Sequence, residues 1–359
     1  MRSTATLAFD IVRNLLGKRY QLVYIVENAP WSIRQDGCEI TSRLTSLGLC
    51  DATVRVTPRG LRNTLIHFGS FHSYTQSVAQ KAVDVFSNTL VLTWFHVEDD
   101  VVARRHIPYI NTHIKRVVTS CTNTREHLLR LGLRKDIVEV IPIGVDISHF
   151  SPVSQETKQL IRERLGISLN VCVIGCFQKD GNYWGHGLEP KYIKGPDVFC
   201  DALDMVAKER NIFVLLTGPS RGYVKQRLQR SGIPFFHTYV SEYCRIVPYY
   251  QALDLYVVPS RLEGGPKAIL ESWATGVPVV TTNVGMVPDI CQHAVNAVIC
   301  DVDDPHGLAQ GILSVAHDKN FSDQLARNGF AAVPLYDWNC IVRQYYETVY
   351  RLLLNKEKK

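Results

Sequence analysis

Two carboxylates, Glu263 and Glu271, flank a Gly264-Gly265-Pro266 turn in the stretch SRLEGGPKAILESWATGVPVV, residues 260–280. Val257 and Val258 end an apolar run that reads as a buried strand, and Pro266 suits the first turn of a helix running to about Ala274. A strand, a glycine turn and a helix in that order expose free backbone N–H groups and the positive end of a helix dipole, which is a cradle for phosphate. Glu263 precedes the cradle and can point beyond the phosphate. Glu271 lies more than a turn into the helix and can reach back. A carboxylate accepts hydrogen bonds from vicinal hydroxyl pairs, which ribose and hexose both offer. Sugars on both ends of a diphosphate make a nucleotide sugar. The spacing alone leaves a second reading open, with Glu263 a turn carboxylate near a helix N-terminus and Glu271 a solvated helix residue.

These residues need a scaffold, and the sequence supplies a repeating one. Short β-branched runs alternate with helical patterns. In the first half the strand candidates are 21–27, 52–56, 63–68, 89–95, 116–120 and 138–144; in the second they are 170–177, 212–218, 233–240, 253–260, 277–282 and 296–302. The runs are nearly continuously apolar, as expected where helices cover both faces of a parallel sheet. The pattern predicts an α/β chain of two doubly wound, Rossmann-like lobes, a first domain over 1–150 and a second over 151–336 that carries the phosphate cradle, with a C-terminal helix over 337–359 that packs across a lobe or back onto the first. The boundary falls in DISHFSPVSQ, 146–155, where polar residues and a proline precede a new helix.

Composition narrows the function classes. The chain has 359 residues, 46% hydrophobic and 21% charged, as in a globular protein long enough for two cores. Its ten cysteines include no C-x-x-C pair, which disfavours a zinc knuckle or a thioredoxin-like site and fits a reducing cytoplasm. No segment has the apolar length of a membrane span, and the N-terminus lacks the order of a secretory signal. Residues 1–150 hold 18 Lys+Arg against 13 Asp+Glu, and the remainder 22 against 21. That excess is too diffuse for a nucleic-acid footprint and suits a solvated surface, an anionic acceptor or an acidic membrane face. The apolar stripe in TLAFDIVRNLLGKRY, 6–20, reads as a packed helix or as a peripheral membrane contact.

Beyond spacing, PSRLEGGPKAILESWATGVPVVTTNVG resembles the E-x7-E signature of the retaining glycosyltransferases called group 1, which have GT-B architecture. VEVIPIGVDISHF resembles their interdomain segment, KGPDVF (194–199) the Lys-Gly segment that opens their second lobe, and DWNCIVRQYYE their C-terminal crossing helix. The likeness runs from about residue 89 onward, strong in the second lobe and weak over the first 80 residues. It implies that Glu263 bonds the donor sugar, that the backbone at Gly264, Gly265 and Pro266 faces the diphosphate or sugar, that Glu271 bonds the ribose and that Lys194 binds the donor phosphates. His96, in TLVLTWFHVED, resembles the family histidine near the reacting sugar. Trp31, Arg34 and Asp36 follow the first strand where the family's acceptor loop lies, although that loop can also simply pack.

Two departures stand out. Cys176 occupies the place of the usual phosphate-binding arginine, so Lys179 is the substitute candidate, separated from Lys194 by an insertion over 180–193. EGGP replaces the commoner aromatic-glycine pair, so no particular donor is implied.

Asp301-Val302-Asp303 could pass for a D-x-D metal site, but its place late in the second lobe suits a loop and helix-cap pair. EDD at 98–100 likewise suits a helix N-terminus. With no H-E-x-x-H and no Walker sequence, the expectation is no metal and no cofactor beyond a nucleotide-sugar co-substrate, with amides and lysines neutralising the departing diphosphate. The absence of G-x-G-x-x-G after the first strand argues against a dinucleotide oxidoreductase. The expected partners are a nucleotide-sugar donor and a saccharide or lipid-linked saccharide acceptor, without nucleic acid, in the cytoplasm or at the inner face of a membrane. The alternatives are a nucleotide-sugar epimerase or hydrolase on the same fold, and a non-catalytic nucleotide-sugar- or carbohydrate-binding subunit.

Overall fold

Two six-stranded sheets organise the computed structural model, which describes residues 20–28 and 32–354. Trp31, residues 6–19 of the apolar stripe and residues 355–359 lie outside the described residues. In the first sheet β1 (Leu22–Ile25), β2 (Ala52–Arg55), β3 (Leu65–Phe68), β4 (Thr89–Thr93), β5 (Ile114–Thr119) and β6 (Val138–Val140) run in the order β2-β1-β3-β4-β5-β6. In the second, β7 (Cys172–Cys176), β8 (Ile212–Thr217), β9 (Phe235–Thr238), β10 (Leu255–Val258), β11 (Val279–Thr282) and β12 (Val298–Cys300) run β12-β11-β10-β7-β8-β9. Every strand pair is parallel. Each strand lies within one of the runs read from the sequence, with β5 beginning two residues before its run. Central strands such as β1, β3 and β7 are buried throughout, because helices cover both faces of each sheet.

The strand order fixes where a ligand can sit. Read from β9, the second sheet goes third, second, first, fourth, fifth, sixth, so its direction of winding reverses between β7 and β10. The loops leaving the carboxyl ends of those two strands diverge there and open a crevice. In the first sheet the reversal lies between β1 and β3.

The chain passes between lobes twice, side by side. Val145 donates to the Tyr336 carbonyl at 2.9 Å and Trp338 donates back to the Val145 carbonyl at 3.1 Å. Past this point the C-terminal stretch packs on the first lobe: Trp338, Ile341, Val342, Tyr345, Val349, Tyr350 and Leu353 share a core with Leu22, Tyr24 and Val91. It is not one regular helix, as its amphipathic pattern suggests. A π turn over Tyr346–Tyr350 separates Trp338–Tyr345 from Arg351–Leu354. The widened turn brings Tyr345 and Tyr350 onto one face, stacked with ring centroids 5.9 Å apart, where the Tyr350 hydroxyl lies 2.7 Å from buried His67.

Candidate active site

At the second-lobe crevice the loop after β10 carries Ser260, Glu263, Gly264 and Gly265, and the segment after β7 carries Gln178, Lys179 and, beyond the insertion, Lys194. Lys194 donates to Glu263 Oε1 at 2.7 Å, and Ser260 Oγ lies 2.8 Å from the same oxygen. Gln178 completes the set, 2.5 Å from the Lys194 carbonyl and 3.1 Å from Ser260 Oγ. Gly195 makes this possible: it is left-handed at φ +63, and a Cβ there would come within 1.9 Å of the Pro259 carbonyl. Pro196 then starts the helix Pro196–Glu209. Lys-Gly-Pro thus presses Lys194 against the β10 loop. Two candidates distant in sequence are in one ion pair, both partly buried.

Pro266 is the N-cap of the helix Lys267–Ala274 rather than its first residue, and no side chain caps that end. Its first amides therefore retain donor capacity at the positive pole of the dipole. Gly264 sits against the first lobe, where a Cβ would meet the Phe95 carbonyl at 2.4 Å. The close approach brings His96, the next residue, beside the turn. His96 Nε2 lies 3.1 Å from Glu98, which also receives Lys191 at 3.4 Å, while buried His96 Nδ1 has no hydrogen-bond partner among the described residues. The hydrogen bond from His96, with Lys191 adding its charge, holds the Glu98 carboxyl down at about 2.

Glu271 is not the solvated helix residue of the second reading: it is 5% exposed. Tyr250 donates to one carboxylate oxygen at 2.5 Å and Tyr243 to the other. Burial pushes its carboxyl up, while Lys267 and the two phenols pull it back. The neighbouring Lys267 binds buried Asp36 of the first lobe at 2.6 Å and lies over the rings of Tyr243 and Trp338, 4.9 and 5.4 Å from their centroids. Asp36 is therefore spent on an interlobe strut. Arg34, the other described acceptor-side candidate, is half-buried.

Beneath the place of the usual arginine lies a residue the sequence did not single out. Cys176 is buried, its thiol pushed up to about 11 by that burial. Arg221, from the turn after β8, lies fully buried beneath the β7 loop, donating to the carbonyls of Cys176 at 2.8 Å and of Gln178. Asp180 pairs with it at 3.0 Å, and burial pushes the Asp180 carboxyl up to about 6 against that pairing. This guanidinium supports the loop from below. Lys179, half-buried, has no carboxylate partner among the described residues; burial and then Lys191 lower its ammonium pKa. Its Nζ lies 5.4 Å from the Trp184 ring centroid.

The decoy motif resolves differently from its expected cap role. Asp304 caps the helix Pro305–His317, and Asp303 pairs with Arg261. Asp99 caps the helix Asp100–His113 as expected. No group of three or more His, Cys, Asp or Glu poised to hold a metal occurs among the described residues. At the first-lobe reversal, Ser70 donates to Glu27 at 2.7 Å, a pair that sequence reading passed over.

The family described as Glycosyl transferases group 1 matches residues 183–318. A lipopolysaccharide core biosynthesis mannosyltransferase of Rhizobium meliloti is 28% identical over 202 residues, 54% of this chain and 54% of its own. A D-inositol 3-phosphate glycosyltransferase of Xylanimonas cellulosilytica is 29% identical over 234 residues, 62% of this chain and 54% of its own. The chain thus spans about half the length of the curated relatives it matches. Over the whole molecule, the crystal structure of Anabaena Alr3699/HepE in complex with UDP and glucose superposes with a TM-score of 0.75 at 19% identity, covering 92% of this chain and 99% of that one. Residues 183–318 of the second lobe thus match the glycosyl transferases group 1 family, and the two lobes together have the GT-B fold.

Proposed function

We propose that the protein is a metal-independent, retaining glycosyltransferase that moves a sugar from a nucleoside-diphosphate sugar to a hydroxyl of a saccharide or lipid-linked saccharide. The observation that carries this is the Lys194–Glu263 pair at the β7/β10 reversal, beside an uncapped helix N-terminus and backed by Glu271. In this reading the diphosphate lies across the amides after Gly265, with Lys194 and Lys179 as its counter-charges. Glu263 accepts from the donor-sugar hydroxyls, and Glu271, aimed by Tyr243 and Tyr250, accepts from the ribose. His96 supports the reacting sugar from the first lobe.

The C1–O bond to the β-phosphate breaks while the acceptor oxygen bonds C1 on the same face, and a phosphate oxygen takes the acceptor proton. Fixed positive groups aimed at the departing diphosphate supply the electrostatic stabilisation. Ten free cysteines fit a reducing compartment, hence the cytoplasm, with a lipid-linked acceptor met at a membrane surface. No described helix is long and apolar enough to cross a membrane.

The test is transfer from a panel of UDP- and GDP-sugars to saccharide acceptors, with EDTA present and the product's anomeric configuration read by NMR. The reading expects a retained anomer and full rate in EDTA, with transfer lost in Glu263→Gln. An inverted product, a rate lost on chelation, or donor hydrolysis without transfer would each overturn the corresponding part.

A further inference from the structure

The insertion over 180–193 is not a slack loop. Its base is paired antiparallel at Gly181 and Pro190, with Asn182 donating to the Glu189 carbonyl at 2.8 Å and Lys191 to the Asp180 carbonyl at 2.7 Å. Its inner side is docked on the turn after β8. Ser220 donates to the Tyr183 carbonyl at 2.9 Å, Gly222 to the His186 carbonyl at 2.8 Å and Tyr223 to the Gly187 carbonyl at 2.8 Å. Gly187 is left-handed at φ +67, and a Cβ on it would come within 2.1 Å of the Ser220 carbonyl carbon. The buried Asp180–Arg221 pair lies beneath.

A loop fixed this firmly presents its outer face by construction. Tyr183 is 78% exposed, Trp184 51%, Leu188 55% and Tyr192 59%. Both feet of the loop are donor-site candidates, since Lys179 precedes it and Lys194 ends it, and Lys191 reaches Glu98 of the first lobe at 3.4 Å. Lys179, with its Nζ 5.4 Å from the Trp184 ring centroid, ties that ring to the donor-side foot of the loop.

We propose that residues 180–193 form a stacking platform for the saccharide portion of the acceptor, with Trp184 and Tyr183 carrying the ring contact. The proposal rests on the transferase reading above. A pyranose has an apolar C–H face and a hydroxyl rim, and rigid aromatic rings with a polar edge match both at little entropic cost. His186 and Glu189, exposed on the same loop, supply rim partners. Lysines and carboxylates alternate around the aromatics, which disfavours an anionic lipid surface.

The experiment is saturation-transfer NMR on the full chain with mannobiose, maltose and chitobiose as probes, comparing wild type with Trp184→Ala, Tyr183→Ala and Trp184→Phe. Thermal shifts with UDP and GDP are read on the same proteins. The platform predicts that at least one disaccharide receives saturation at its ring C–H protons and that Trp184→Ala weakens its binding about fivefold or more. Trp184→Phe should retain most of it, and nucleotide shifts should be unchanged in all variants. Disaccharide binding equal in Trp184→Ala, or no disaccharide binding to wild type, overturns the platform while an intact nucleotide shift leaves the transferase reading standing. Loss of both signals in wild type removes the reading on which the platform rests. Wild-type binding to phosphatidylglycerol vesicles that Trp184→Ala abolishes assigns the loop to a membrane and also overturns it.

Discussion

The reversal points of the two sheets share a topology and differ in what they hold. Between β7 and β10 converge Lys194, Glu263, Ser260 and Gln178, linked in one hydrogen-bonded set. Between β1 and β3 there is the Glu27–Ser70 pair, and the acidic candidate in the following helix, Asp36, is bound to Lys267 of the other lobe. The second-lobe crevice is built around fixed charges that a phosphate and a sugar can use. The first-lobe crevice spends a charge on holding the lobes together and leaves recognition to loops. A constant donor and a variable acceptor would be served by this division, because loops change without disturbing a sheet.

The largest effect that sharpens the comparison is expected at Glu263. Glu263→Gln keeps the size and the turn but removes the charge paired with Lys194, and transfer should fall by about 10³-fold with the thermal midpoint little changed. A drop under tenfold would place the reacting sugar elsewhere.

Next is the strut. Asp36→Ala leaves Lys267 partly buried without its carboxylate, costing about 3 kcal/mol in denaturant unfolding, and pairing it with Lys267→Met should restore much of the loss. No loss in the single variant would mean the lobes are not held by this contact.

The first lobe also carries a pH liability that the second-lobe site does not share. Burial holds His67 neutral with its pKa pushed down to about 3, against about 6.5 when unfolded. The unfolded chain then binds the proton first, so stability is full above pH 6.5 and is lost as pH falls from there toward 3. The expected loss is up to about 2 kcal/mol between pH 7 and pH 5. Replacement by Gln should flatten that slope in thermal unfolding. An unchanged slope would assign it to other groups.

The smallest effect separates acceptor from donor: Glu27→Gln should raise the acceptor KM about threefold with the donor KM unchanged. A change in the donor KM instead would move Glu27 to the other side of the reaction.

The strands were legible because parallel strands covered on both faces must be apolar along their length, and turn residues punctuate them. Glu263 and Glu271 were legible because a strand, two glycines and a helix fix their relative height. What escaped was long-range. Nothing local in the sequence ties Arg221 to the carbonyls after β7, Lys267 to Asp36, or Tyr243 and Tyr250 to Glu271, since each pairing forms only when separate elements pack. The π turn escaped for a related reason, because a regular period was assumed across Tyr345–Tyr350. Asp36 illustrates the cost: read as an acceptor residue from its position after the first strand, it is buried against a lysine that no neighbouring residue announces.

The most direct test of the account is calorimetric titration of UDP, GDP and ADP into the wild-type protein and into Lys194→Ala, without added metal. The account predicts that one of these nucleotides binds and that Lys194→Ala weakens it about tenfold or more, in line with a lost charge-assisted contact. Binding of none of them, or equal binding to both proteins, would contradict a donor site at the β7/β10 crevice.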